Sequence, residues 1–308
     1  MKLWHKIVIA LAIILLSIGG TLWWIPYHEL GKGQLAILGY SYSNPIIPSI
    51  YLFNPLFRSW HHVPTDNLYP HYISWSPDGK KIAFTYSTSS ADDGTITGIA
   101  ILKLDNMQTQ QVYIPPSNEN LNVVTWSPDG QSLFFDVYEN NALIAFQKLV
   151  ISSGRLQSFP FHKNIGINHL EVAQNNDYVI GGSDGVYIAS PDLESLRQVT
   201  PYMDGFFLTP DRKQIITPCA QSTICTYSID TNQLTKTFPG TLPNHGTLST
   251  GNWSYDEKDM VYLWQGAGEN DPNYIMLVDI QNNQKFLIYK VQRWFGPDVV
   301  QLAWYTAK

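Results

Sequence analysis

The pentapeptide Trp-Ser-Pro-Asp-Gly occurs twice in this chain, at Trp75–Gly79 and at Trp126–Gly130. Weaker copies stand at Leu208–Arg212 and Trp253–Glu257. A short motif that returns along a chain indicates repeated supersecondary units. Each complete copy leads into a strand-like run, so the repeat predicts small β-sheets arranged around a central axis, which is a β-propeller.

The residues of the motif are those that a tight turn between two strands requires. Proline fixes φ near the value of the first central position of a type I turn. Aspartate suits the second position because its side chain can hydrogen-bond nearby backbone groups. Glycine can take the positive φ that lets the chain reverse. The residues in these roles are Pro77, Asp78, Gly79, Pro128, Asp129 and Gly130.

The tryptophan before each turn is expected to lie on an inner strand, where its large ring fills the gap between neighbouring sheets. A series of such anchor positions divides the chain into units of about 36 to 51 residues. Each unit has room for the four strands of a propeller blade. The anchors are Trp75, Trp126, Val172, Leu208, Trp253 and Trp304.

The two ends of the chain are each incomplete as blades. Gly33–Tyr40, Ser49–Asn54 and Arg58–Val63 give three strands without an inner partner, and Val299–Tyr305 gives one strand with no blade after it. Joining the ends completes a blade and removes exposed sheet edges. The prediction is an all-β fold: a six-bladed β-propeller of four-stranded antiparallel blades, with the C-terminal strand innermost in the first blade.

These repeats resemble the TolB-type propeller repeat, which also occurs in the propeller domains of prolyl-oligopeptidase-type enzymes and in oligogalacturonate lyase. The resemblance covers roughly residues 33–308, and its specific part is the two complete motifs. TolB itself also carries a separate N-terminal α/β domain, for which this chain has no room, so the resemblance is to a free-standing propeller. We therefore expect residues 29–308 to form one propeller domain.

An apolar segment runs from Ile7 to Ile25, long enough to cross a bilayer as a helix. Lys2 and Lys6 precede it, which favours a cytoplasmic N-terminus. We expect residues 1–28 to be a cytoplasmic tip and a single transmembrane signal-anchor helix that precedes the propeller. The rival interpretation is a cleaved secretory signal peptide. Both place the propeller on the extracytoplasmic side, periplasmic or extracellular.

Cys219 and Cys225 are the two cysteines of the chain, and they flank a short turn between two predicted strands. Neighbouring hairpin strands can bring two cysteines into bonding distance, and exported proteins meet oxidising conditions. We expect a disulfide; the alternative is two unpaired thiols. The net charge of −6 makes nucleic acid an improbable partner.

Three histidines precede inner strands of alternate blades, namely His71, His169 and His245. If their loops meet at one mouth of the channel, the three imidazoles could hold a divalent metal. The resemblance to oligogalacturonate lyase implies a His-rich metal site in such a channel, although no ligand of that family can be matched here residue by residue. The plainer interpretation is three solvated loop histidines, with no cofactor.

Residues Gly181–Gly185 match the Gly-x-Ser-x-Gly pattern of hydrolase nucleophiles. That pattern requires a strand on one side and a helix on the other. Here it lies between two predicted strands, so we interpret it as a hairpin turn.

The sequence shows no complete set of nucleophile, base and oxyanion donors. It therefore favours a non-catalytic module, tethered to the membrane, that binds a protein or glycan partner in the cell envelope. The alternatives are a lyase-like, metal-dependent carbohydrate-active enzyme that uses the three histidines, and a structural subunit of an envelope complex.

Overall fold

Antiparallel sheets follow one another along the chain in the computed structural model, and each forms one blade of a six-bladed propeller. The structure describes residues 33–41, 47–54, 59–89, 96–161, 165–201, 205–220, 223–239, 247–253, 258–265, 274–279, 282, 284–290 and 298–306. The predicted anchor in residues 1–28 lies outside these ranges. Within them, no helix is long and apolar enough to cross a membrane.

The strands of the first three blades are as follows, each blade from the inner strand outward. Blade 1 contains β25 (Asp298–Thr306), β1 (Gly33–Ser41), β2 (Ile47–Asn54) and β3 (Ser59–Val63). Blade 2 contains β4 (Tyr69–Trp75), β5 (Lys81–Ser87), β6 (Gly98–Lys103) and β7 (Gln108–Tyr113). Blade 3 contains β8 (Glu119–Asn120) and β9 (Val124–Trp126), then β10 (Ser132–Glu139), β11 (Ala142–Val150) and β12 (Arg155–Pro160).

The remaining blades each have four strands. Blade 4 contains β13 (Ile167–Val172), β14 (Tyr178–Gly182), β15 (Gly185–Ala189) and β16 (Leu196–Thr200). Blade 5 contains β17 (Phe207–Leu208), β18 (Gln214–Ala220), β19 (Thr223–Ser228) and β20 (Leu234–Pro239). Blade 6 contains β21 (Thr247–Trp253), β22 (Asp259–Gln265), β23 (Tyr274–Asp279) and β24 (Gln284–Lys290).

The C-terminal strand closes the ring. Strand β25 pairs antiparallel with β1 and places Trp304 opposite Leu35. This confirms the prediction that the last strand is innermost in the first blade. Because β25 pairs with β1, the inner edge of β1 is not left exposed for pairing with another chain.

Apolar side chains pack between the faces of neighbouring blades. Between blades 2 and 3 the cluster contains Trp126, which is 1% exposed and donates its indole N–H to the backbone carbonyl of Ser74. This is the role the sequence predicts for the motif tryptophan. Trp75, in the equivalent position of blade 2, is only half-buried at the edge of the cluster between blades 1 and 2.

The complete motifs form the same hydrogen-bonded turn twice. In blade 2 the Ser76 hydroxyl donates to Asp78 Oδ1 at 2.6 Å, and Asp78 also accepts from the Lys80 N–H. In blade 3, Ser127 and Asp129 repeat this pattern. The hydroxyl also accepts the N–H that starts the next strand, so the serine links both ends of the turn.

The fourth position of this turn has a positive φ in every blade from 2 to 5. The angle is 66° at Gly79 and 68° at Gly130, as predicted for glycine. The drifted turns of blades 4 and 5 keep the conformation with Asn176 at 68° and Arg212 at 57°. Left-handed backbone is tolerated by asparagine but costs an arginine about 1 kcal/mol or more. Arg212 therefore needs a compensating interaction.

Candidate functional site in the channel

Inner strands of different blades meet through polar side chains near the central axis. Tyr72 on β4 and His169 on β13 occupy equivalent positions, three residues before their respective anchors Trp75 and Val172. The Tyr72 hydroxyl lies 2.5 Å from His169 Nδ1, and the two share a hydrogen bond. Because blades 2 and 4 are not neighbours, this bond spans the inner end of blade 3.

The His169 ring is enclosed on its other sides. Its Nε2 atom is buried without a hydrogen-bond partner and lies 3.7 Å from Glu171 Oε1. The Phe206 ring packs edge-on against the imidazole, with ring centroids 4.6 Å apart. A tautomer that carries its proton on Nε2 directs that N–H toward the carboxylate, so the Tyr72 O–H then donates to Nδ1.

Glu171 forms an ion pair with the turn of the next blade. Its Oε2 atom accepts from Arg212 at 2.6 Å and from the Thr125 hydroxyl at 3.4 Å. The side chains of Glu171 and Arg212 are 23% and 20% exposed. Burial acts to raise the pKa of Glu171, but the Arg212 charge and the His169 contact outweigh it and hold the pKa below its ordinary value.

Arg212 stands at the left-handed position of the blade 5 turn and contacts blade 4 from there. Its Nε atom donates to the carbonyl of Val172 at 2.5 Å, so one guanidinium binds both a side chain and the backbone of blade 4. These charge-assisted bonds are the interaction that offsets the strained backbone. At the position where blades 2 and 3 have glycine, blade 5 has an arginine that pairs with Glu171.

Blade 3 uses a carboxyl group to complete its short inner strand. Strand β9 begins only at Val124, and Asp136 Oδ1 accepts the backbone N–H groups of Asn122 and Val123 at 2.9 Å each. The Asn122 side chain donates to the carbonyl of Ile167 in blade 4. Burial raises the pKa of Asp136 to about 7.

Two of the three predicted metal ligands have other partners in the structure. His71 Nε2 hydrogen-bonds the Ser87 hydroxyl at 3.0 Å, and His169 Nδ1 is bonded to Tyr72. His245 lies outside the described residues. Across the described ranges, no three His, Cys, Asp or Glu side chains are grouped so as to hold a metal ion. The three-histidine site stays a prediction.

Two other sequence predictions fall on described residues. Cys219 on β18 and Cys225 on β19 form a disulfide with Cα atoms 5.7 Å apart, so the hairpin disulfide is confirmed. Gly182 and Gly185 face each other across β14 and β15, with Ser183 and Asp184 as the turn between them. Ser183 therefore lies on a hairpin and not on a strand-to-helix elbow.

Sequence reasoning overlooked Tyr72, Glu171, Arg212 and Asp136. The available signal was the departure from the repeat: Arg212 replaces the turn glycine, and Glu171 precedes the degraded anchor. A charged residue that replaces glycine in one copy of a repeat marks a position taken over for another contact. The partners of these side chains on other blades could not be read from spacing alone.

Several exposed side chains lie at the end of the propeller where the inner strands begin, here called the upper mouth and formed by residues 114–123, 165–168 and 181–185. Ile114 is 66% exposed, compared with 54% for Leu234 and 51% for Leu287. Pro116, Asn118, Asn168 and Asp184 are exposed around the same mouth. The opposite mouth carries the tight inner turns.

Comparison with solved structures places this chain among β-propellers. TolB from Acinetobacter baumannii is 15% identical with a TM-score of 0.65, over 89% of this chain and 66% of that chain. An oligogalacturonate lyase in complex with manganese is 12% identical with a TM-score of 0.57, over 85% of this chain and 80% of that one. A chain from a nidogen–laminin complex is 6% identical with a TM-score of 0.60, over 89% and 98%.

At these identities the likeness establishes the fold alone. The chain spans 66% of the length of that TolB protein, which is less than two thirds. No protein-family model and no curated protein sequence matches the chain. The likeness to solved structures thus shows a TolB-like propeller architecture.

Proposed function

We propose that this chain is a membrane-tethered, extracytoplasmic propeller that binds a protein partner of the cell envelope through its upper mouth and catalyses no reaction itself. One observation carries the proposal. Three ionisable side chains near the axis within the described ranges, His169, Glu171 and Arg212, are held by contacts between blades. Side chains that are paired with one another inside the ring stabilise the fold. The exposed surface is then the part of the molecule that recognises a partner.

The upper mouth has the character of a recognition surface. Ile114 and Pro116 are exposed in the segment after β7 of blade 2, and the polar residues Asn168 and Asp184 are exposed at the same end of blade 4. Apolar residues rimmed by polar ones are typical of protein-binding surfaces. The likeness to a chain solved within a nidogen–laminin complex supports a protein partner.

Two features support the extracytoplasmic location. The apolar segment Ile7–Ile25 follows Lys2 and Lys6, which is the arrangement of a signal anchor. The disulfide between Cys219 and Cys225 suits an oxidising compartment.

The test is to cross-link the full chain in its native membrane, identify the partner, and then measure binding with both components purified in detergent. Asn168→Arg at the upper mouth should weaken binding about tenfold or more, because it introduces a large charge at the interface core. Gln131→Arg, an exposed position on the inner turn at the opposite mouth, is the matched control and should bind like the wild type.

Three outcomes would oppose the proposal. Equal binding by the two arginine variants would remove the upper mouth as the binding surface. An oligosaccharide that binds where no protein does would make the partner a glycan. Turnover of a substrate by the purified chain would replace the binding role with catalysis.

A metal-dependent, lyase-like carbohydrate-active enzyme is the second candidate. His169 Nε2 is buried without a hydrogen-bond partner, and the fold resembles an oligogalacturonate lyase in complex with manganese. The Arg212 cation on Glu171 opposes a second cation beside His169. Elemental analysis decides between the two: stoichiometric metal that is lost in His169→Gln would favour the enzyme.

A further inference from the structure

The first strand begins at the end of the ring opposite to the upper mouth. Strand β1 starts at Gly33, which pairs with Thr306 at the last residue of the inner strand β25. Inner strands run from the upper mouth toward the tight inner turns, so Gly33 lies at the same end of the ring as those turns, here called the lower end. A segment that precedes β1 therefore joins the ring at its lower end.

The stretch between the apolar segment and β1 is short. Seven residues, 26–32, separate Ile25 from Gly33. Even when fully extended, the chain from Ile25 to Gly33 spans at most about 29 Å. Strand β1 has nine residues and is about 26 Å long, which is also the distance between the two ends of the ring along this strand.

We propose that the propeller lies with its lower end toward the lipid headgroups of the membrane, so that the upper mouth is directed away from the bilayer. The inference rests on the membrane tether proposed above and adds the orientation of the ring. In this orientation, residues 26–32 have to cross only the headgroup layer, about 6 Å thick. In the inverted orientation they would have to cover that layer and the length of β1, about 32 Å together, which exceeds their full reach.

Charge favours the same orientation. At the end of the ring that contains the upper mouth, the exposed or half-buried Asp, Glu, Lys and Arg side chains that the structure describes are all carboxylates. They are Asp66, Glu119, Glu139 and Asp184. At the lower end, the exposed cations Lys80, Arg155 and Lys213 lie among exposed carboxylates. Headgroups that carry negative charge therefore repel the uniformly acidic upper end more strongly than the mixed lower end.

This orientation determines how a partner reaches the propeller. The upper mouth lies about 26 Å or more from the headgroups, because the length of the strands separates it from the lower end. A partner therefore meets the upper mouth from the aqueous compartment. The inner turns at the lower end face the lipid and are not open to a partner of similar size.

The test measures how close three labelled sites lie to the lipid surface. Ser195 and Ser183 are exposed at the lower and upper ends of blade 4, and Asn106 is exposed at the lower end of blade 2. Ser195→Cys, Ser183→Cys and Asn106→Cys are prepared separately in the full chain, and each is labelled with a fluorescent donor. The two native cysteines are joined in the disulfide, so the label attaches at the new thiol.

Energy transfer to acceptors on the lipid headgroups is then measured with each labelled chain in lipid nanodiscs. Ser195→Cys should transfer energy more efficiently than Ser183→Cys, because the two sites differ by about 25 Å along the strands. Asn106→Cys should match Ser195→Cys. Higher transfer from Ser183→Cys would overturn the proposal. Equal transfer from the two blade 4 sites, both weaker than Asn106→Cys, would show a propeller lying on its side and would overturn it as well.

Extraction of native membranes with alkaline carbonate tests the tether separately. A chain that carbonate releases would refute the membrane tether of the proposed function, and this inference with it. A chain that stays in the membrane but gives the wrong order of energy transfer would refute the orientation alone.

Discussion

Blades 2 and 3 close their inner turns with glycine, whereas blades 4 and 5 close the same turn with Asn176 and Arg212. All four turns have a positive φ at this position and the same backbone hydrogen bond three residues apart. Among the described residues, the glycine turns make no ion pair with another blade, while the Arg212 turn binds both Glu171 and the backbone of Val172. The drift of the repeat in blade 5 thus reflects a gain of contact between blades.

The same turn forms with different residues at several of its positions. The turn is held by a hydroxyl and a carboxylate, and these recur in blade 5 as Thr209 and Asp211 at 2.6 Å. Ser190 and Asp192 form the same pair in an outer turn of blade 4. The inner turn of blade 4 has Ala173 and Asn175 at these two positions, and the Asn175 amide oxygen accepts the Asp177 N–H as the aspartates do in the other turns. The turn conformation therefore persists when the serine, the aspartate and the glycine are all replaced.

The largest expected effect concerns the motif tryptophans. Trp126→Ala should destabilise the protein by about 3 to 5 kcal/mol because it opens a cavity in the cluster between blades 2 and 3. Trp75→Ala should cost clearly less, since Trp75 is only half-buried. Chemical denaturation of both variants measures the difference. Equal losses would show that the two copies of the motif are energetically equivalent.

The next largest effect should distinguish the two inner turns that lack glycine. Arg212→Gly should lose about 2 kcal/mol of stability at neutral pH, because it leaves Glu171 largely buried without its cation even though glycine fits the turn. Asn176→Gly, at the same turn position, should change stability by only a few tenths of a kcal/mol. In a Glu171→Gln background, Arg212→Gly should become nearly neutral. If Arg212→Gly cost the same stability in that background, the ion pair with Glu171 would not be the cause of the loss.

Asp136 tests how blade 3 compensates for its short inner strand. Asp136→Ala should cost about 1 to 2 kcal/mol, because two buried N–H groups lose their acceptor. Asp136→Asn keeps an acceptor oxygen and should be close to the wild type at pH 7. Thermal unfolding of the two variants separates loss of the acceptor from loss of the charge.

The pH dependence of that site has a definite sign. The pKa of Asp136 is raised from 3.8 to about 7, so the folded protein keeps its proton where the unfolded chain has released it. The stability that this group contributes is therefore greatest below its ordinary pKa and falls as the pH rises toward 7. Asp136→Asn should remove this slope. A slope that is unchanged in the variant would contradict the shift.

The smallest effect concerns the aspartates of the complete turns. Hydrogen bonds from Ser127 and the Gln131 N–H hold the pKa of Asp129 below its ordinary value. The stability from this carboxylate is thus present above its ordinary pKa and is lost as the pH falls through the folded value. Asp129→Asn should cost about 0.5 to 1 kcal/mol near pH 7 and reduce the loss on acidification. Acid titration of unfolding measures both.

The fold was predictable because its signals are local. The turn residues and the alternating runs were sufficient to predict the six blades, and the incomplete blades at the two chain ends were sufficient to predict closure by β25. The spacing of Cys219 and Cys225 was sufficient to predict the disulfide. Strand β8 was missed because two residues show no periodicity. The channel contacts were also missed, since Tyr72 and His169 are 97 residues apart and meet only through the curvature of the ring.

The central claim is that side chains near the axis hold blades together. A double-mutant cycle of Tyr72→Phe and His169→Gln, with the free energy of unfolding as the readout, tests it most directly. A hydrogen bond that joins blades 2 and 4 predicts that the two single losses fail to add, with a coupling of about 1 kcal/mol. Strictly additive losses would contradict the claim and show that the two residues contribute independently of their contact.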